Sequence, residues 1–192
     1  MFIPGKKLDQ ILLKDTELVT IRYPRWQDLD KLLEYTNNLA QEDTYIALDN
    51  RAISRDEEIE YLSSTFKAIE QGNKVLLIAE LNNKIISVAD IKRKSNFAKE
   101  KHIGILGISV SKDYRGLGLG KVMLSSVIKE ASNVISGLKM IVLEVFSENE
   151  VAVNLYKRFG FVEFGRLKKG LYYKDSYIDC IKMVYYLSDE SN

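Results

Sequence analysis

Apolar positions in this chain of 192 residues follow two rhythms, one of period two and one near 3.6, and the alternation between them lays out the elements. Residues 10–23 read as two short strands turned at Lys14-Asp15, ending at Arg22-Tyr23-Pro24. From Asp28 the rhythm turns helical, with Leu29, Leu32, Leu33, Thr36 and Leu39 on one face. Ser54-Arg55-Asp56-Glu57 has the form of a capping box and opens a second helix, whose apolar stripe is Ile59, Leu62, Phe66 and Ile69. Residues 75–81 and 85–93 read as strands joined at Asn82-Asn83-Lys84, a hairpin turn signal. A polar, lysine-rich loop over 94–101 leads to a strand over 102–111.

Residues 121–132 form the next helical pattern, with Leu124, Val127, Ile128 and Ala131 inward. Ile141, Leu143 and Val145 then alternate with Glu144 as in a strand. Ala152, Leu155, Tyr156 and Phe159 return to helical spacing, with Asn149 placed to cap that helix and Gly160 to stop it. Residues 165–174 and 177–187 close the chain as an antiparallel pair turned near Asp175-Ser176. The order predicts a mixed α/β domain, β-α-α-β-β-β-α-β-α-β-β, over residues 18–187. Residues 1–17 form an added strand or arm, and 188–192 a tail.

Composition narrows the function classes. Hydrophobic residues at 46% and charged residues at 29% describe a soluble globular chain, cytoplasmic by default. Basic residues exceed acidic ones by 28 to 27, which argues against a dedicated nucleic-acid binder. No apolar run is long enough to span a bilayer, and no signal-peptide pattern opens the chain. One cysteine, Cys180, and one histidine, His102, allow neither an intrachain disulfide nor a Cys- or His-based metal cluster, so no metal is expected.

The most specific stretch is Arg115-Gly116-Leu117-Gly118-Leu119-Gly120-Lys121, set between a strand pattern and a helix pattern. Glycines there let main-chain amides face a ligand with no Cβ in the way, and a helix N-terminus favours phosphate. A Walker loop would need glycine at Arg115 and a hydroxyl at Val122, and has neither. A dinucleotide fingerprint begun at Gly116 or Gly118 meets Lys121 or Met123 where its last glycine belongs.

Arg115, Gly118 and Gly120 instead spell Arg-x-x-Gly-x-Gly. That loop resembles the pyrophosphate loop of the GNAT superfamily of N-acetyltransferases. The second block, Leu143-Glu144-Val145 followed by Asn149-x-x-Ala152-x-x-Leu155-Tyr156 and Gly160-Phe161, resembles that superfamily's signature strand and helix. It is similar in particular to the ribosomal-protein alanine N-acetyltransferase branch. The resemblance implies the GNAT fold, acetyl-CoA as cofactor, and a primary amine as acceptor, either a small molecule or a protein. Relatives often pair as dimers, so a homodimer is a further expectation drawn from it.

Roles follow residue by residue from the same resemblance. The loop from Arg115 to Lys121 would cradle the diphosphate, with Lys121 alternatively a solvated first-turn lysine. Ile108, Ser109 and Val110 would pair with the pantetheine arm along a strand splayed from its neighbour. Tyr156 would protonate the departing sulfur, or else is a core tyrosine. Asn149 would hydrogen-bond the arm, or else only caps the helix. Glu144 is expected as general base, its pKa raised by apolar neighbours, against a salt-bridged glutamate at a strand end. His102 reads as structural, Cys180 as a small buried hydrophobe, and Tyr177 and Asp179 as a Tyr-x-Asp pattern on the last strand pair. Trp26, Tyr45, Asp49 and Tyr172 fall where the acceptor cleft would be built. Many relatives carry glutamate where this chain has Ile105, which keeps open a second reading: a non-catalytic CoA-binding sensor.

Overall fold

Strand β1 (Lys7–Leu13) opens the chain, antiparallel to β2 (Glu17–Arg22), and helices α1 (Leu29–Gln41) and α2 (Arg55–Glu70) follow. Then come β3 (Lys74–Leu81), β4 (Lys84–Arg93), β5 (Ile103–Val110), α3 (Leu119–Val134), β6 (Met140–Phe146), α4 (Glu150–Phe159), β7 (Val162–Tyr173) and β8 (Ser176–Tyr186). The strands order as β1-β2-β3-β4-β5-β6-β8-β7. Only β5 and β6 are parallel among the registered pairs. This is the mixed α/β element order expected from the sequence. The computed structural model describes residues 2–14, 16–42, 44–46 and 51–187, so Asp15, Asp49 and the 188–192 tail lie outside the described residues.

Two compact units make up the chain. The first holds Met1–Lys92 and Gly107–Ser136. Its centre is β3, where Val75, Leu76, Leu77, Ile78 and Ala79 are each at most 1% exposed. A run apolar on both faces needs cover on both, and α2 and α3 pack against it. Each such side chain contributes roughly 2 kcal/mol by leaving water. The β3–β4 turn places Asn82 and Asn83 at φ +48° and +67°, the paired left-handed conformation that a two-residue hairpin needs and that asparagine tolerates. The predicted capping box is formed: Glu57 N–H donates to Ser54 Oγ, and Ser54 N–H donates to the Glu57 carboxylate.

A buried polar lock fixes the entrance to α1. Arg22 on β2 donates two hydrogen bonds to Asp28, Nη1 to Oδ2 at 2.6 Å and Nη2 to Oδ1 at 2.7 Å, and a third from Nε to Glu80 on β3 at 2.9 Å. Asp28 is fully buried, and its Oδ2 also accepts the Arg25 N–H. Two charges can be removed from water here because each is matched by several hydrogen bonds.

The second unit holds Arg93–Leu106 and Gly137–Asn192. Ile103, Gly104 and Ile105 of β5 run parallel beside Met140, Ile141 and Val142 of β6. β6 pairs along its whole length with β8, from Met140↔Tyr186 to Phe146↔Cys180. Gly160 ends α4 at φ +104°. β7 begins at Val162 rather than at 165, because a register shift between Glu163 and Gly165 lets the earlier residues pair with β8. The last hairpin turns on Lys174 and Asp175, both left-handed, one residue before the expected turn.

Candidate functional site

In the first unit, the chain leaves β5 through a single turn at Lys112–Tyr114 and extends at Arg115. Gly116 and Gly118 adopt φ +75° and +82°, where side chains are strained. Gly118 immediately precedes α3, so the helix begins at Leu119, two residues earlier than the hydrophobic pattern suggested. Leu119, Gly120 and Lys121 therefore belong to its first turn. The first helical bonds return from Lys121 and Val122 to the Gly118 carbonyl, at 3.1 and 3.3 Å. The amides of Leu119 and Gly120 come before any such bond, and no side chain caps the helix. A Cβ added at Gly116 or at Gly118 would meet nothing within 4 Å. Uncapped N–H groups, the positive end of the helix dipole and open space over two glycines together suit a diphosphate. The residues present fit the phosphate end of coenzyme A.

Arg115 does not point at that space as a loose positive charge. Its Nε donates to the Val110 carbonyl at 2.9 Å, and its Nη2 pairs with the Glu42 carboxylate. The other Glu42 oxygen accepts the Lys112 N–H at 3.2 Å. Glu42 thus ties the end of α1 to two points on the approach to the loop. Lys121 is exposed on the first turn of α3.

Ile108, Ser109 and Val110 are half-buried on β5. The Ser109 hydroxyl lies 2.8 Å from the buried Tyr35 phenol of α1, and its carbonyl accepts the Ser87 hydroxyl at 2.6 Å. The Tyr35 phenol is pushed up to about 12 by burial, with Ser109 and the Val88 amide opposing, and stays protonated. Ser109 is therefore pinned on its β4 and α1 sides, and Val110 by Arg115.

In the second unit, Tyr156 lies on the inward face of α4, 8% exposed, its ring 5.6 Å from that of Phe161. Burial pushes its phenol up to about 12. Asn149 caps α4, its side chain accepting the Ala152 N–H at 3.2 Å. Glu144 differs from expectation: β6 is apolar on its other face, but the Glu144 side chain is 63% exposed and pairs with Lys182 of β8 at 3.0 Å. The burial invoked to make it a strong base is absent, because period-two alternation turns position 144 away from the core. Cys180 is buried, and its Sγ donates to Glu144 at 3.7 Å, a weak polar role beyond simple packing.

Asp179 is fixed within the β7–β8 pair by the Lys169 N–H and Arg166, and the exposed Tyr177 ring packs tilted against Tyr172, centroids 5.3 Å apart. His102 lends its carbonyl to the amides of Lys139 and Met140. Trp26 is half-exposed and packs edge-on against Phe66 at 5.0 Å. Sequence reasoning missed Glu42, Asp28, Tyr35 and Asp90. The partners of Glu42, Tyr35 and Asp90 lie on other elements, and Asp28 pairs with Arg22 across the bend between β2 and α1. Among the described residues no cluster of three or more His, Cys, Asp or Glu could hold a metal, and no helix is long and apolar enough to cross a membrane.

Comparison with known proteins agrees with this architecture. The chain is 27% identical over 116 residues to an N-alpha-acetyltransferase of Sulfurisphaera tokodaii, a match covering 56% of this chain and 66% of that one, just under two thirds of its length. Among solved structures it is similar to an acetyltransferase of the GNAT family from Streptococcus pneumoniae, with TM-score 0.80, 28% identity, and 88% and 99% of the two chains covered. It shares its fold with a ribosomal-protein-alanine N-acetyltransferase from Brucella melitensis, with TM-score 0.75, 22% identity, and 87% and 99% covered. The same holds for a protein from Salmonella typhimurium determined with its cofactor acetyl-CoA, with TM-score 0.77, 21% identity, and 91% and 96% covered. The profile of the Acetyltransferase (GNAT) family matches residues 27–161, and the chain belongs to that family.

Proposed function

We propose that this protein is an acetyl-CoA-dependent N-acetyltransferase acting on a primary amine. The observation that carries the reading is the loop at Gly116 and Gly118, left-handed, open above, and leading into an uncapped helix whose first amides have no helical partner. When bound, acetyl-CoA supplies an acetyl group activated as a thioester, with a sulfur that leaves carrying the bonding electrons.

The chain's own groups divide the remaining work. Main-chain amides at Leu119 and Gly120 hold the diphosphate, with Lys121 adding charge. Glu42 and Arg115 keep the loop in shape. Ile108, Ser109 and Val110 hold the pantetheine arm, with Asn149 a further polar contact. Tyr156, protonated throughout the working pH range, donates a hydrogen bond to the developing thiolate. Full transfer from a phenol near 12 to a thiolate near 8.5 is uphill by about 5 kcal/mol. Its role is therefore to stabilise the leaving sulfur, with water supplying the final proton. Glu144, exposed beside Lys182, suits drawing in a cationic acceptor and passing protons to solvent.

Release of free CoA thiol, followed with a thiol-reactive dye and a panel of amines, amino acids, polyamines and peptides, tests the proposal. Thiol release that requires both acetyl-CoA and one class of amine is the expected result. Tight CoA binding with no turnover on any amine would favour a sensor instead.

A further inference from the structure

Asp90, on β4, pairs with Lys74 through one oxygen and lies over β5 with the other, which has no hydrogen-bond donor among the described residues. Its Oδ2 lies 3.4 Å from the ammonium of Lys74 on β3. That ammonium is itself buried, 3.3 Å from both the Tyr61 hydroxyl and the Thr65 hydroxyl of α2, and 4.8 Å from the centre of the Tyr61 ring. The Lys74 donors are matched, so the lysine is a fixed post and not a mobile surface cation.

The second oxygen, Oδ1, reaches across to β5. A Cβ built on Gly107 would come within 2.8 Å of it, closer than side chains ever approach. Gly107 is not left-handed, so backbone conformation does not demand glycine there. With the Asp90 carboxylate where it is, an added Cβ would force Oδ1 to shift. The Asp90 side chain keeps 26% of its surface exposed. Burial pushes the carboxyl up, with Lys74 and Lys92 opposing.

We propose that Asp90 Oδ1 takes the proton from the acceptor ammonium, with Lys74 as a positioning residue and Gly107 as the gap that leaves Oδ1 room to work. The proposal rests on the N-acetyltransferase reading above. It meets a need that reading leaves open. Ile105, two residues before Gly107 on the same strand, is apolar, and Glu144 is exposed and bound to Lys182. Asp90 has what a base requires: partial shelter from water, an orienting partner, and a free oxygen with a fixed direction.

Oδ1 removes one proton from R–NH3+, and the freed lone pair forms the C–N bond to the acetyl carbon. The C–S bond breaks with its electrons on sulfur, which takes up one proton. The nitrogen sheds a second proton as the amide forms, and Asp90 returns its own to solvent. One proton is released for each acetamide made.

The test uses the full chain with Asp90→Asn and Gly107→Ala, read by steady-state kinetics from pH 6 to 10, by CoA affinity and by melting temperature. A 13C-labelled aspartate NMR titration of the native protein with a polyamine, an amino-acid amide and an alanyl peptide accompanies them. Asp90→Asn should lower kcat about 100-fold at pH 7 with CoA affinity unchanged, and the deficit should shrink as rising pH deprotonates the free amine. Gly107→Ala, which leaves the carboxylate in place chemically but displaces Oδ1, should lower kcat about 10-fold. Should Asp90→Asn fail to fold, that variant decides the matter alone. The Asp90 carboxyl resonance should shift on addition of whichever amine is turned over. Unchanged kcat and pH profile in both variants, with only a lower melting temperature, would make the Lys74–Asp90 pair purely structural and overturn the proposal. An Asp90 resonance that ignores every amine overturns it even if native turnover is absent, an absence that counts separately against the acetyltransferase reading.

Discussion

Glu42, at the end of α1, holds the guanidinium of Arg115 at the mouth of the glycine loop. The same carboxylate accepts the Lys112 N–H, so one side chain fixes the loop at two points. A hydrogen-bonded charge pair of this kind contributes about 1.5–3 kcal/mol. Glu42→Ala should therefore loosen the loop and weaken CoA binding about 10-fold while leaving the fold intact. Isothermal titration calorimetry reads the affinity and circular dichroism the fold. Unchanged affinity would mean that the loop holds its shape without α1.

Asp28 should be the most costly single polar position in the first unit. Its removal takes away the carboxylate that accepts two hydrogen bonds from the buried Arg22 guanidinium. Asp28→Asn should destabilise by about 3–5 kcal/mol, a fall in melting temperature on the order of 10 °C. A fall of only a degree or two in a thermal melt would show that the lock carries little.

Acid should act through Glu80. Burial alone would raise its carboxyl, but the hydrogen bonds from Arg22 and Lys31 overcome that and hold it at about 2. A carboxyl lowered on folding contributes stability that is fully present above its unfolded value, about 4.3, and is lost as pH falls toward 2. Denaturant midpoints should drop through that window, and Glu80→Gln should flatten the drop. An identical pH dependence in the variant would assign acid sensitivity elsewhere.

Tyr156→Phe should lower turnover about 10- to 100-fold with CoA affinity nearly unchanged, because the hydroxyl acts on the leaving sulfur and not on ground-state binding. With the phenol near 12, native turnover should show no falling limb from this group below pH 10. Equal kcat in the two proteins would return Tyr156 to the core.

Glu144→Gln should raise the KM of a cationic acceptor several-fold and leave kcat nearly intact, since an exposed carboxylate paired to Lys182 works at long range. A kcat loss that deepens at low pH would instead make Glu144 the base, as its place in the Leu-Glu-Val strand first suggested.

The sequence made legible whatever depends on neighbours along the chain. Alternation placed β6, helical spacing placed α4, and the residues at their ends placed Asn149 and Gly160 as caps. The glycines at 116 and 118 announced a main chain open to a ligand, and both are left-handed in the structure. What depended on distant partners was hidden. Nothing near Arg115 foretells Glu42, seventy-three residues away, which braces the arginine. Nothing near Gly107 foretells Asp90 lying over it. Glu144 was misjudged because apolar flanks in a strand point to the opposite face. Its exposure depends on what covers the polar side, and that is decided by β8 and Lys182.

The account turns on the main chain at the start of α3. A crystal structure of the protein grown with coenzyme A tests it most directly. Diphosphate oxygens should lie within about 3 Å of the amide nitrogens of Leu119 and Gly120, above Gly116 and Gly118. A coenzyme bound elsewhere, with those amides facing only water, would contradict it.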